Sequence, residues 1–158
     1  KNINIKRIYE DLLSFYKDMD QDIYAYAIED KKRIKIMKLD TVLINSDFNI
    51  NFKIKRNILF SILKDDYGII SRFEPGIYPG VNNKFYWNKL FNDDPTKKRG
   101  VCYCTKPCTG KGLGNGDGDC KKITIAAFQS GSIIITGARE VNHIVAAKKF
   151  IIKVLKFT

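Results

Sequence analysis

The residues best suited to chemistry are four cysteines, Cys102, Cys104, Cys108 and Cys120, which follow one another as C-x-C-x3-C-x11-C. Thiolates spaced this way can surround one soft metal ion, oxidise to two disulfides or remain free. The spacing is not a standard C-x2-C pair, but Pro107 and the surrounding glycines can supply tight turns. A four-thiolate ion has no open coordination position, so a metal here would be structural. The single histidine, His143, has no evident serine or cysteine partner and is expected on a helix surface. Acidic residues are scattered, and neither a phosphate-binding loop nor a triad pattern is present, so the chain is not expected to be an enzyme. Alternating glycines from Gly110 to Gly118 do not follow a strand and open a helix, as a dinucleotide loop must. Asn115, Asp117 and Asp119 begin like a calcium loop, but Ala126 stands where its closing glutamate belongs. The stretch reads instead as a flexible, basic, glycine-rich tongue.

The elements that would position these residues follow from apolar periodicity. Residues 3–17 carry Ile5, Ile8, Leu12 and Phe15 at helical spacing, and Asp18 to Asp22 is a polar connection. From Arg33 to Phe52 the period becomes two, through Ile34, Ile36, Val42, Ile44, Phe48 and Ile50, which predicts a long strand or two in line. Ile54, Ile58, Leu59, Ile62 and Leu63 predict a helix over 54–67, with Gly68 as its left-handed stop. Pro75, Gly76, Pro79 and Gly80 mark a sharp turn between two short strands in 69–87. Residues 88–121 hold all four cysteines and most of the glycines and read as an inserted loop. Lys122–Phe128 and Ser132–Thr136 flank Gln129-Ser130-Gly131 as a hairpin, and Glu140–Phe157 places Val141, Ile144, Val145, Ile151 and Leu155 on one helical face. Strand, helix, four strands and helix make an antiparallel sheet covered on one side. Its other face is where function is expected.

The formal net charge of +11 favours a polyanionic partner, because neutralised phosphates release condensed counterions. A Lys-rich, Asn-rich and Ile-rich chain from an AT-biased genome would show the same excess on an idle surface, so charge names no ligand. No window supplies the roughly eighteen uncharged apolar residues of a membrane span. The chain starts at Lys1 without a signal-peptide pattern and is expected to be part of something longer.

Two strings point to a family. SRFEPGIYPGV at 71–81 and KITIAAFQSGSIIITGAR at 122–139 resemble, in order, the second repeat of TATA-box-binding protein (TBP). The divergence and the cysteine-rich insertion look most like the TBP-like proteins of large DNA viruses. The resemblance implies an α+β half-saddle over residues 33–158, interrupted by the loop at 88–121. Residues 1–32 would then be a helix and linker closing a preceding repeat. It also implies a concave sheet face that enters the minor groove of double-stranded AT-rich DNA, the binding mode for which TBP is the standard example.

On that resemblance Tyr78 and Phe128 are the wedges, although tyrosine replaces the usual phenylalanine at position 78. Ile134 supplies apolar contact, Asn45 and Thr136 read groove acceptors, and Lys84, Lys122 and Arg139 meet phosphates. Both plausible alignments aim Asn45 at the concave face; Asp47 is expected beside it, where a carboxylate opposes DNA binding. Glu74 and Ile77 match positions that hold a transcription factor IIB-like protein, while Gly76 replaces a second acidic position there. The implied partners are DNA, that factor and RNA polymerase, with no membrane and no small-molecule substrate. Transcription proceeds in a reducing compartment, which favours a structural zinc at the four cysteines over disulfides. The expected location is intracellular, at a cytoplasmic virus factory or the host nucleus, with packaging in virions open. The competing reading is a TBP-fold interaction scaffold without DNA binding.

Overall fold

The computed structural model describes Ser14 and residues 42–156; the expected helix at 3–17, its connection and the strand residues before Val42 lie outside these. The described elements are β1 (Ile44–Asn49), α1 (Arg56–Ser61, continuing as a π-helical turn over Ile62–Asp66), β2 (Ile70–Glu74), β3 (Tyr78–Trp87), α2 (Lys89–Asn92), β4 (Lys121–Ala127), β5 (Ser132–Ala138) and α3 (Val141–Leu155). The five strands form one sheet in the order β1-β5-β4-β3-β2, with every pairing antiparallel. The expected strand, helix, four strands and helix are therefore present, with one short extra helix in the loop.

The sheet is two-sided because its central strands alternate. Ile123, Ile125 and Ala127 of β4, Ile133 and Ile135 of β5, and Val81 and Phe85 of β3 are all buried. Leu59 and Leu63 of α1 and Ala147, Phe150, Ile151 and Val154 of α3 complete this core, so both long helices cover the same face. Phe150 packs on Phe85 at 5.1 Å between ring centroids and on Tyr67 at 5.4 Å. Asn83 is the polar exception beneath the helices. Its amide donates to the Val81 and Ile125 carbonyls at 3.1 Å each, and its oxygen accepts from the Ser71 hydroxyl at 2.6 Å, so no donor or acceptor is stranded.

Several expectations need correction. The described part of the first strand runs only from Ile44 to Asn49, because Asn51 takes a left-handed φ of 61° and turns the chain toward α1. Ile54 is buried but precedes α1, while Ile58 is exposed. Gly68 does stop the helix with φ 68°. β3 extends over ten residues, so Pro79 and Gly80 lie within a strand and the turn is confined to residues between Glu74 and Tyr78. The buried stripe of α3 is His143, Ala147, Phe150, Ile151, Val154 and Leu155; Val141 and Val145 face outward.

Because Ile135 is fully buried on an interior strand of the sheet, Ile135→Ala should cost about 2–5 kcal/mol. Urea denaturation should show the midpoint falling with little change in slope; a loss below 1 kcal/mol would contradict the described core.

Candidate nucleic-acid interface

The strand alternation that buries one set of side chains turns the other set onto the helix-free face. From β4 and β5 these are Lys122, Thr124, Ala126, Ser132, Ile134 and Thr136, with Phe128 just past β4. From β3 they are Gly80, Asn82, Lys84 and Tyr86, with Tyr78 at the strand's start; from β2 Ile70, Arg72 and Glu74; from β1 Asn45, Asp47 and Asn49. The register aligns one row as Asp47, Ile134, Ala126, Asn82 and Arg72 across all five strands.

Tyr78 and Phe128, expected as separate wedges, are in contact: their rings lie 5.7 Å apart at 61°. Arg56 ties together the backbone and side chain next to each ring. Its guanidinium donates to the Pro79 carbonyl and, at 3.1 Å, to the Gln129 side chain, and it lies 5.1 Å over the Phe73 ring. Arg56 carried no signal in the sequence, because helix-start arginines are common and its two partners are 23 and 73 positions away.

Lys84 donates to the Thr124 hydroxyl at 2.9 Å. Its pKa is lowered, first by burial and then by the neighbouring charges of Lys122 and Arg72. These three cations converge on a depression of about 530 Å³, also lined by Ile70, Tyr78, Asn82 and Tyr86. Arg72 was not foreseen as part of this cluster. Arg139 is exposed just past β5, and its charge acts on Lys121 rather than on this trio. Glu74 and the 83% exposed Ile77 stand at the β2–β3 turn, where the Ile77 amide donates to the Glu74 carbonyl at 2.9 Å. Asn45 is on the open face, and so is Asp47, beside Ile134.

The four cysteine sulfurs lie within 4.8 Å of one another, with Cys104 to Cys120 at 3.3 Å and Cys102 to Cys120 at 3.6 Å. A disulfide needs about 2.05 Å. A tetrahedron of bonds of about 2.3 Å to one zinc has edges of about 3.8 Å, so the donor set fits a single ion. Burial raises the thiol pKa of Cys120 and of Cys102. Burial opposes ionisation of Cys108 too, but amide donors from Gly110 and Cys120 and the nearby thiols outweigh it, and its pKa is lowered. The Asn88 amide also donates to the Cys120 sulfur, at 3.4 Å.

The loop carrying them is clasped to the fold rather than free as a tongue. Asn88 donates to the Gly116 carbonyl at 2.7 Å, and the amides of Lys89 and Lys122 donate to the carbonyls of Gly114 and Gly110 at 2.7 and 2.8 Å. Asp117 accepts from Thr105 and Lys106, and Asp119 from Leu113 and Asn115, so both carboxylates are committed to the loop itself. His143 is a further clasp. It is fully buried, against expectation, because the loop covers the start of α3. Its Nδ1 accepts from the Arg139 amide at 3.3 Å, which leaves Nε2 to donate to the Leu113 carbonyl at 3.1 Å, and Trp87 packs on the ring at 4.5 Å.

The described residues thus form an α+β scaffold whose five-stranded antiparallel sheet has one helix-free, partly basic face. No protein-family model matches the chain, and no solved structure matches it significantly. Among curated proteins, the "TATA-box-binding protein-like" protein of Acanthamoeba polyphaga mimivirus is 33% identical over 98% of this chain, which spans 36% of that relative's length. The resemblance carried by two strings thus extends over nearly the whole sequence. None of the described helices is long and apolar enough to cross a membrane.

Burial lowers the pKa of His143, against opposing contributions from the Leu113 bond and the charge of Glu140. A depressed folded-state pKa means the unfolded chain binds the proton more readily, so the stability His143 contributes is complete above about pH 6.5 and lost as pH falls below it. Urea midpoints should therefore drop between pH 7.5 and 5.5, and the drop should shrink in His143→Gln. An equal pH dependence in both proteins would refute the assignment.

Proposed function

We propose that this chain is a TBP-like transcription-initiation module that binds promoter DNA in the minor groove and recruits initiation factors without performing catalysis. The observation that carries this is the shared open face of Tyr78, Phe128, Ile134, Thr136 and Asn45, with Lys84 and Lys122 at its margin. The minor groove presents a degenerate set of acceptors, so its reader works with apolar surface, a few donors and a wedge. Phe128 with Tyr78 supplies the wedge, and Ile134 the apolar contact. Asn45 and Thr136 donate to acceptors, and Lys84, Lys122 and Arg139 meet phosphates, which position the duplex without reading it. Residues 33–158 act as one repeat with the loop at 88–121 inserted, and residues 1–32 close a preceding repeat. Glu74 and Ile77 face a transcription factor IIB-like protein, and RNA polymerase completes the assembly at the virus factory or in the host nucleus. The four cysteines hold a structural zinc that staples the inserted loop.

A second reading is favoured by one observation: the β1 edge of the face is polar throughout, with Asp47 next to Ile134. On that reading the sheet is a protein-interaction scaffold that has lost DNA.

Fluorescence anisotropy on an AT-rich duplex separates the two. DNA binding should weaken with salt, the logarithmic slope growing by about −0.9 per phosphate neutralised. Phe128→Ala should lose about 1–3 kcal/mol, the worth of an aromatic ring stacked on a base. Salt-dependent affinity that is equal for all duplexes and unaffected by Phe128→Ala would leave the scaffold reading. For the metal, elemental analysis of the purified chain should give one zinc per molecule, lost in a Cys102→Ser/Cys120→Ser variant; oxidation to disulfides with no zinc would reject the site.

A further inference from the structure

We propose that an ion held by the four cysteines fixes the Tyr86–Lys122 end of the open face, making the chain's affinity for nucleic acid dependent on metal loading; this rests on reading that face as a DNA surface. The two features share their parts. Cys120 is followed directly by Lys121, the first residue of β4, and Lys122 is the next. Gly110 stands two residues after Cys108, and its carbonyl accepts from the Lys122 amide at 2.8 Å. It also lies flat against both face residues. A side-chain carbon built there would sit 2.6 Å from the Lys122 β-carbon and 3.0 Å from the Tyr86 ring, and its φ is 73°. The Tyr86 amide donates to the Gly100 carbonyl at 2.8 Å, two residues before Cys102. Tyr86 and Lys122 both line the basic depression, so the cysteine loop packs, through Gly110, against two of the residues that line the place where the cations converge.

The arm from Val101 to Gly110 is tied to the second half of the loop by the Thr105 and Lys106 amide bonds to Asp117 and carries Tyr103 against Phe91; it reaches the Tyr86–Lys122 end at Gly110, where an ion adds restraint by holding Cys108. Among the described residues the arm contributes no side chain to the buried core, with Val101 only packed at its margin. The second half of the loop is held by Asn88, Asp119 and His143 and should survive without metal. Four thiolates around a dication leave a net charge near −2, which by itself repels phosphate. The coupling is therefore positional rather than electrostatic.

The test uses the full chain loaded with Zn(II), the same chain stripped by a chelator, and Gly110→Ala, with anisotropy on an AT-rich duplex and amide exchange as readouts. Stripping should weaken duplex binding about tenfold, the loss of one or two positioned phosphate contacts. The Lys122 and Tyr86 amides should lose protection while those of Ile125 and Ile135 keep theirs. Gly110→Ala should weaken the duplex similarly with zinc still bound. Equal affinity of loaded and stripped chains overturns this inference and leaves the DNA reading intact. Unchanged Lys122 and Tyr86 protection on stripping overturns it whatever the affinity does. A loaded chain that ignores the duplex overturns the DNA reading and this inference with it.

Discussion

Every feature of the open face depends on the strict two-residue alternation of β4 and β5 beneath a single layer of helices. Ile123, Ile125, Ile133 and Ile135 are each fully buried, and strand geometry then sends Thr124, Ala126, Ile134 and Thr136 to the other side. A one-residue slip would exchange the two sets and expose four isoleucines, at about 1.5–3 kcal/mol each. Register is therefore set by burial on the covered face, and the uncovered face inherits its geometry. That frees the exposed side chains to be chosen for a ligand rather than for packing.

The cysteine loop obeys a different constraint. It supplies few buried apolar side chains and is instead fastened by donors and acceptors: Asn88, Asp119 and His143 on one half, sulfur contacts on the other, and Asp117 between the two. Such a segment cannot hold its shape by hydrophobic burial, and each buried polar atom must find a partner within it. Among the described residues no buried side-chain nitrogen or oxygen is left unsatisfied. This is why His143, the lone histidine, sits at zero exposure: it closes a backbone carbonyl that the loop would otherwise strand.

Strand and helix order was legible because apolar spacing is local, and the β4–β5 hairpin followed from its β-branched runs and Gln129-Ser130-Gly131 turn. The face assignment of Asn45, Ile134 and Thr136 was legible for the same reason, since alternation carries direction. What escaped was long-range. The contact of Tyr78 with Phe128 and the reach of Arg56 to Pro79 and Gln129 join segments distant in sequence, and the convergence of Arg72 on Lys84 depends on the register of the β2–β3 hairpin. His143 and the rotated stripe of α3 were misjudged because a helix covered by both a sheet and a loop buries more than one face. The expected flexibility of the loop failed too, because glycine-rich composition describes backbone freedom and says nothing of side-chain anchors such as Asn88.

Asp47 is the strongest objection to a polyanion on this face, and its weight depends on distance. It occupies the β1 edge, whereas Arg72 lies on β2 at the opposite edge of the same row, four inter-strand steps away. At about 4.8 Å per step the separation is about 19 Å, more than twice the screening length of about 8 Å at physiological salt. One carboxylate at that range neither cancels the charge of Arg72 nor repels a phosphate bound beside it. Its influence is confined to its own neighbours, Asn45, Asn49 and Ile134. The face therefore carries a charge gradient rather than a uniform sign, which directs a polyanion toward the β2–β3–β4 end. That is the end against which the cysteine loop packs through Gly110, so the loop and the attractive field meet at Lys122 and Tyr86.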